Sequence, residues 1–113
     1  MHKVPPDASA PAAGSCARLA GSQVLVLVNP DVPMPRCVIV AAGQHLAVRN
    51  NTNELGQPPQ TVTLRWADYP PRTLPAGALT TYPQPFISYL MPGVHRLQAS
   101  VYGQSGAEIW LQP

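Results

Sequence analysis

Two cysteines, Cys16 and Cys37, are the residues of this chain with the clearest capacity for covalent chemistry. A domain outside the cytoplasm would oxidise such a pair, and we interpret the two as a disulfide that flanks the first predicted strand. Closing a loop of this length stabilises a fold by roughly 3 kcal/mol, mainly by restricting the unfolded chain. Two alternatives stay open: separate buried thiols, and a lipid anchor on Cys16 after the sequence Ala13-Gly14-Ser15.

Metal-binding side chains are few. Outside the first fifteen residues the imidazole and thioether donors are His45, His95, Met34 and Met91. Met91 and His95 could form a copper(I) pair, because copper(I) prefers soft ligands. However, Met91 precedes a Pro-Gly turn and His95 is in phase with a buried strand face, so packing explains both. We expect no metal ligand set and no cofactor.

The nucleophiles and bases form no recognisable catalytic pattern. Gly103-Gln104-Ser105-Gly106 is one residue short of the Gly-x-Ser-x-Gly elbow, which requires a strand-to-helix turn, and a hairpin turn explains it better. The 5 carboxylates are scattered, and no glycine-rich phosphate loop is present. We therefore predict that the protein is not an enzyme.

A proline-rich segment between residues 69 and 89 carries the aromatic side chains that could contact a partner. The candidate contact residues are Tyr69, Arg72, Tyr82, Phe86 and Tyr89. Rings on a stiff, proline-rich segment provide contact area at low entropic cost. The alternative is that these rings cover an open end or edge of the fold, and the sequence leaves both interpretations open.

Asn50-Asn51-Thr52 matches the sequon for N-glycosylation. The segment from Asn50 to Gln60 is rich in turn-forming residues, however, and needs asparagine and glycine for its own conformation. We favour this structural explanation.

Length and composition predict one folded domain over residues 16–113, preceded by a disordered tail over residues 1–15. The tail consists mainly of Pro, Ala and Ser, and it has too little apolar surface to offset the entropy of ordering. Nothing after Met1 resembles the apolar part of a signal peptide, so we expect an export signal upstream in a precursor.

The charge pattern restricts the partners. The net charge is +2 and the arginines are scattered, which gives no nucleic-acid footprint. Only 11% of residues are charged, against about 25% in a typical soluble domain. No run approaches the ~18 apolar residues of a membrane span. We expect a monomer that is secreted, periplasmic or at the cell surface, with a protein or cell-envelope ligand as its partner.

Short segments with alternating apolar residues predict an all-β fold. The clearest is Thr61–Trp66, in which Val62, Leu64 and Trp66 share one face. The predicted strands are Gln23–Val28, Arg36–Val40, Gln44–Asn50, Thr61–Trp66, Ala78–Tyr82, Phe86–Leu90, Val94–Tyr102 and Ala107–Leu111. No helical spacing persists, and the stretch between Trp66 and Val94 is too rich in proline for a helix. Seven or eight short strands indicate a β-sandwich or small barrel.

Three segments, in the order in which they occur along the chain, resemble the cupredoxin-like family over roughly Ser22–Gln112. Cys37–Asn50 resembles the family's unit of strand, glycine turn and strand ending in Asn. Met91–His95 resembles the Pro-Gly turn that opens its penultimate strand, and Gly106–Leu111 resembles its closing strand. The resemblance implies a Greek-key β-sandwich of seven or eight strands.

The type 1 copper ligands of that family are missing from the matching positions. The first ligand, a histidine, would lie near Gln60, and Ala99–Tyr102 stands where the thiolate is expected. The last hairpin, Gly103–Gly106, holds neither His nor Met. The resemblance thus implies a copper-free member acting as a non-catalytic, extracytoplasmic binding or structural module. The alternative is a periplasmic copper-handling protein, either a carrier or a chaperone.

Overall fold

A computed structural model describes residues 3–53, 58–103 and 106–113, and these residues form two mixed β-sheets packed as a sandwich. The strands are β1 (Ala17–Arg18), β2 (Gln23–Val28), β3 (Pro33–Met34), β4 (Cys37–Val40), β5 (His45–Asn50), β6 (Val62–Arg65), β7 (Arg72–Leu74), β8 (Leu79–Tyr82), β9 (Gly93–Ala99) and β10 (Gly106–Leu111). One helical turn, α1, spans Phe86–Tyr89, and a 3-10 turn spans Ser100–Tyr102. The predicted all-β class is confirmed.

Neighbouring strands within each sheet are mostly distant in sequence. The larger sheet has the order β1-β4-β10-β9-β6-β7, and the smaller has the order β3-β2-β5-β8. β4 is parallel to both β1 and β10, and β2 is parallel to β5. Parallel neighbours cannot be joined by a tight hairpin, so the chain must cross between the sheets repeatedly.

Alternating side chains from the two sheets form the core, because successive residues of a strand point to opposite faces. On β6 and just after it, Val62, Leu64 and Trp66 are each at most 1% exposed. On β10, Ala107, Ile109 and Leu111 are buried as the sequence predicts. The two clearest alternating segments therefore point their predicted faces into the core.

Seven of the eight predicted strands are present, but Phe86–Leu90 is not a strand. Its first four residues form α1, because the amides of Phe86 and Ile87 donate to the carbonyls of Gln44 and Ala42. Pro85 immediately precedes α1, where its missing N–H does no harm. The short strands β1, β3 and β7 were not predicted, because two or three residues are too few to show a period.

The predicted disulfide between Cys16 and Cys37 is confirmed. Cys37 begins β4 and is buried, whereas Cys16 lies directly before β1, which pairs with β4. Because both sulfur atoms are in this bond, the two alternatives are wrong: the cysteines are not separate thiols, and the Cys16 sulfur carries no lipid.

The predicted disordered tail covers residues 1–15, of which residues 1 and 2 lie outside the described ranges. We call the described part, residues 3–15, the strap, and its contacts differ from those of a disordered segment. The strap makes main-chain hydrogen bonds to the start of β9 and to the residues before it. The Val4 amide donates to the Tyr89 carbonyl and the Met91 amide donates to the Val4 carbonyl, both at 2.9 Å. The Val94 amide donates to the Ala8 carbonyl at 2.8 Å. The strap is thus ordered by main-chain pairing, which its side-chain composition does not reveal.

The second half of the strap is held by Glu108 of β10. The amides of Ala12 and Ala13 donate to the two carboxylate oxygens of Glu108 at 2.9 and 2.8 Å. Glu108 is only 5% exposed, and a buried carboxylate requires such donors. The strap therefore runs from the edge of β9 to β10 and continues to the disulfide.

Replacing both Cys16 and Cys37 by serine should lower the free energy of unfolding by roughly 3 kcal/mol, because the unfolded chain regains the freedom of the closed loop. Urea unfolding of the oxidised protein and the double variant measures the difference. Reduction of the unmodified protein should have the same effect. Equal stability of the two forms would contradict a structural role for the bond.

Candidate binding surface

Five aromatic rings pack together where β6 and β8 end, and we call them the aromatic cluster. They are Trp66, Tyr69, Tyr82, Phe86 and Tyr89. Tyr69 lies 4.9 Å from Tyr82 and 5.6 Å from Tyr89 between ring centroids, with interplanar angles of 66° and 89°. Edge-to-face pairs of this kind are favourable beyond the area they bury. The cluster is therefore rigid.

Two of the five predicted contact residues are not at the surface. Tyr82 and Phe86 are both 0% exposed, so neither can touch a partner. For these two residues the alternative interpretation holds, because they fill the core beneath α1 and β8. Tyr69, Arg72 and Tyr89 are half-buried and reach the surface. Sequence spacing could not separate buried Tyr82 and Phe86 from the surface tyrosines, since all of them lie among prolines.

Arg72 supports the cluster from β7. Its guanidinium carbon lies 4.0 Å from the centroid of the Tyr82 ring and 5.5 Å from that of Tyr69. Its Nη1 donates to Thr80 Oγ1 at 2.8 Å and to the Thr81 carbonyl at 2.9 Å. A cation over two aromatic faces and held by two hydrogen bonds is fixed in position. Arg72 therefore acts as a support for the rings.

The tyrosine hydroxyls of the cluster have different environments. Tyr89 accepts a hydrogen bond of 2.8 Å from Nε1 of Trp66. Burial raises the pKa of the Tyr89 phenol well above its usual range, and the bond from Trp66 only partly opposes this shift. The hydroxyl of Tyr82 is buried and has no hydrogen-bond partner among the residues that the structure describes. Burial raises the pKa of Tyr82 as well, against the opposing charge of Arg72.

A surface cavity of about 260 Å³ opens beside the cluster, and we call it the tyrosine cavity. Its lining residues are Val4, Asp68, Tyr69, Pro70 and Tyr89. The sequence predicted only the two tyrosines. Val4 was assigned to a disordered tail and was therefore not considered as a lining residue. The presence of Asp68 and Pro70 next to Tyr69 is the one signal that could have indicated them.

A second cavity, of about 360 Å³, lies beside the strap and has a mixed lining. Arg36 and Arg96 contribute positive charge, and Asp31 and Glu108 contribute negative charge. Tyr102 also lines it, donating its hydroxyl to the Asn29 carbonyl, and burial raises the pKa of this phenol. The opposed charges give this cavity no preference for anions or cations.

The possible copper pair does not converge. Nε2 of His95 lies 2.7 Å from the carbonyl oxygen of Met91, so the ring is held by the main chain rather than by the sulfur. His95 is 3% exposed and packs edge-on against Trp66, whereas the Met91 side chain is 44% exposed. Within residues 3–53, 58–103 and 106–113, no three His, Cys, Asp or Glu side chains group as metal ligands. Packing explains the position of His95.

Asn50, the first residue of the sequon, has a structural role. Its side chain is 0% exposed, and its Nδ2 donates to the carbonyls of Gln60 and Leu74 at 2.7 and 2.9 Å. The hydroxyl of Thr52 donates to Asn50 Oδ1 at 2.7 Å. Asn50 thus ties the turn after β5 to the strands beside it, which confirms the structural explanation.

Tyr82→Phe and Tyr89→Phe should have opposite consequences. The Tyr82 variant removes an unbonded hydroxyl and keeps the ring, so the free energy of unfolding should stay constant or rise by about 1 kcal/mol. The Tyr89 variant leaves the buried N–H of Trp66 without its acceptor and should cost about 1–3 kcal/mol. Urea unfolding measures both variants. Equal losses would show that these hydroxyl environments are wrongly assigned.

Alkaline pH should destabilise the fold through the same phenols. The folded pKa of Tyr89 is raised above that of the unfolded chain, near 10. Its contribution to stability is therefore complete below about pH 10 and is lost as the pH rises towards the folded pKa. Unfolding measured between about pH 8 and 11 should show no loss from this group up to about pH 10 and a decline above it, and Tyr89→Phe should reduce the slope of that decline. The idea fails if the variant and the unmodified protein lose stability in parallel.

No helix in the described ranges is long and apolar enough to cross a membrane. No protein-family model matches this chain, and no curated protein is significantly similar to it.

Proposed function

We propose that this protein is a non-catalytic binding module that acts outside the cytoplasm, with a cupredoxin-like fold that lacks a type 1 copper centre. The observation that carries the proposal is the tyrosine cavity, whose two rings are held rigid by the aromatic cluster. A rigid aromatic surface binds without the entropic cost of ordering its side chains.

The disulfide supports a location outside the cytoplasm. Cys16 and Cys37 form a bond beside β1 and β4, and such structural bonds persist in oxidising compartments. The low content of charged residues is in keeping with this. Secreted, periplasmic and cell-surface locations all meet these requirements.

The arrangement of the strands supports the cupredoxin-like assignment. Both sheets place strands that are distant in sequence side by side, as a Greek-key sandwich requires. β5 ends at Asn50 and β9 begins at Gly93, and we take both features as support for this assignment.

The cysteine, histidine and methionine side chains that could bind copper are not arranged to do so. Both cysteines are in the disulfide, which removes the thiolate that blue copper needs. A copper-handling role would require His95 to release the Met91 carbonyl and turn towards a second donor. We therefore place the copper-handling alternative second.

The ligand that best fits the tyrosine cavity is an extended, proline-rich segment of another protein. Proline rings dock on aromatic-lined surfaces, and a polyproline conformation is already ordered before binding. The chain's own Val4, which precedes Pro5 and Pro6, lines this cavity, and its amide donates to the Tyr89 carbonyl. The exposed carboxylate of Asp68 favours a basic residue next to the prolines.

A peptide of consecutive prolines that ends in lysine tests this proposal by titration into the isotopically labelled protein. We expect saturable shifts of the Asp68, Tyr69 and Tyr89 amides at millimolar peptide. Tyr69→Ala should weaken binding by about tenfold, the effect of losing one aromatic contact worth ~1.4 kcal/mol. Tyr69→Phe keeps the ring and serves as the matched control.

Two results would count against the proposal. The first is the absence of saturable shifts at these residues. The second is unchanged binding by Tyr69→Ala in a folded protein, which would mean that the peptide binds elsewhere.

A further inference from the structure

The first half of β9 has one edge that the sheet does not cover. On one side β10 pairs with β9 from Gly93 to Gln98. On the other side β6 pairs only with Gln98 and Ala99. Neither neighbouring strand of the sheet bonds the main chain between Val94 and Arg96 on this side. A sheet edge of this kind is a template for the addition of a further strand.

The strap occupies this edge through an isolated antiparallel bridge between Ala8 and Val94. The amides of Asp7 and Ala8 donate to the Val94 carbonyl at 2.8 and 3.2 Å, and the Val94 amide donates to the Ala8 carbonyl at 2.8 Å. The Arg96 amide donates to Asp7 Oδ2 at 2.7 Å. Main-chain hydrogen bonds plus one side-chain acceptor are the contacts by which a sheet edge recognises an extended peptide.

We propose that the edge of β9 at Val94–Arg96 is a strand-acceptor site that binds the strap of a second copy of this chain, so that two molecules exchange straps. The observations behind this inference are the contacts at the sheet edge, and none of them requires a ligand at the tyrosine cavity.

Release of the strap leaves the disulfide and both sheets in place, and it exposes the Val94 main chain and the Glu108 carboxylate to water, which replaces their strap partners. Most of the strap's side chains are Pro, Ala and Ser, so it buries little apolar surface. Each of its main-chain hydrogen bonds makes only a modest net contribution, and such segments open at a lower cost than the core. The exposed Gly14 and Ser15 form the last two residues of the strap before Cys16, and a Cβ on Gly14 would meet nothing within 4 Å.

The fit between strap and edge makes another strap the best occupant. Gly93 has φ +132, and a Cβ there would collide with the Pro6 ring, so glycine lets the strap approach. The Asp7 carboxylate meets the Arg96 amide in the same way whichever molecule supplies it. A partner's strap therefore makes identical contacts, which is why exchange of an identical element is a low-cost route to dimers.

The chain's own strap competes with the strap of a second molecule. This competition sets the protein concentration at which the exchanged dimer forms. A segment held by a short flexible linker competes at an effective concentration of the order of millimolar. The exchanged dimer should therefore be rare at ~20 µM and substantial near ~1 mM, where the second molecule's strap reaches the effective concentration of the tethered one.

The first test is a synthetic peptide of residues 3–13 titrated into the full, isotopically labelled chain. We expect saturable shifts of the protein's own Val4 and Ala8 amides at millimolar peptide, because these amides lose the Tyr89 and Val94 carbonyls when the peptide displaces the strap. A peptide carrying Asp7→Ala should bind at least about tenfold more weakly, because it lacks the acceptor for the Arg96 amide. This control leaves the protein itself unchanged, so it does not depend on the folding of a variant.

The second test is sedimentation velocity of the full chain from ~20 µM to ~1 mM, the range set by the tether. A dimer that increases with concentration and dissociates on dilution is the expected result. Gly93→Ala should prevent peptide binding, whereas Gly43→Ala, whose Cβ meets nothing within 4 Å, should not. A monomer at every concentration, or no peptide-induced shifts of the protein's own Val4 and Ala8 amides, would overturn the proposal.

Discussion

Main-chain hydrogen bonding along β9 is the constraint on which the rest of this structure depends. β9 is the longest strand, and β6 pairs with only its last two residues. Unpaired main-chain groups in a packed sheet are costly, so the first half of β9 needs another partner. The strap meets this need, and Gly93 is required because a side chain there would displace Pro6. Glu108 then holds the strap where it crosses β10.

The aromatic cluster fulfils a different requirement, which is to close the sandwich where β6 and β8 end. Trp66 is central, because its indole contacts Phe86, Tyr89 and His95 edge-on. The packing even accommodates a buried hydroxyl on Tyr82 without a partner among the described residues, since the ring contacts of Tyr82 with Arg72 and Tyr69 offset the cost. A surface supported in this way is rigid before any ligand arrives.

The sequence predicted features that depend on local side-chain pattern and missed those that depend on distant main-chain groups. β2 and β10 match their predictions closely because alternation reports a buried face directly. The helical turn at Phe86 was missed because the carbonyls that bind its amides come from Ala42 and Gln44. The order of the strap was missed for the same reason, since Val94 supplies its partners. Tyr69 reaches the surface whereas Tyr82 is buried, and the spacing of these residues in the sequence does not reveal this difference.

Val4 connects the two proposed binding events, because it belongs to the strap and also lines the tyrosine cavity. Its main chain bonds Tyr89 and Met91, so the strap forms one wall of the cavity only while it lies in place. A ligand that contacts Val4 would therefore stabilise the seated strap, and release of the strap would weaken the ligand by the same factor, since coupling between two sites is reciprocal. An exchanged strap restores that wall from the second molecule. Ligand binding and strap exchange are thus compatible, and both are opposed by the open state in which the edge of β9 is bare.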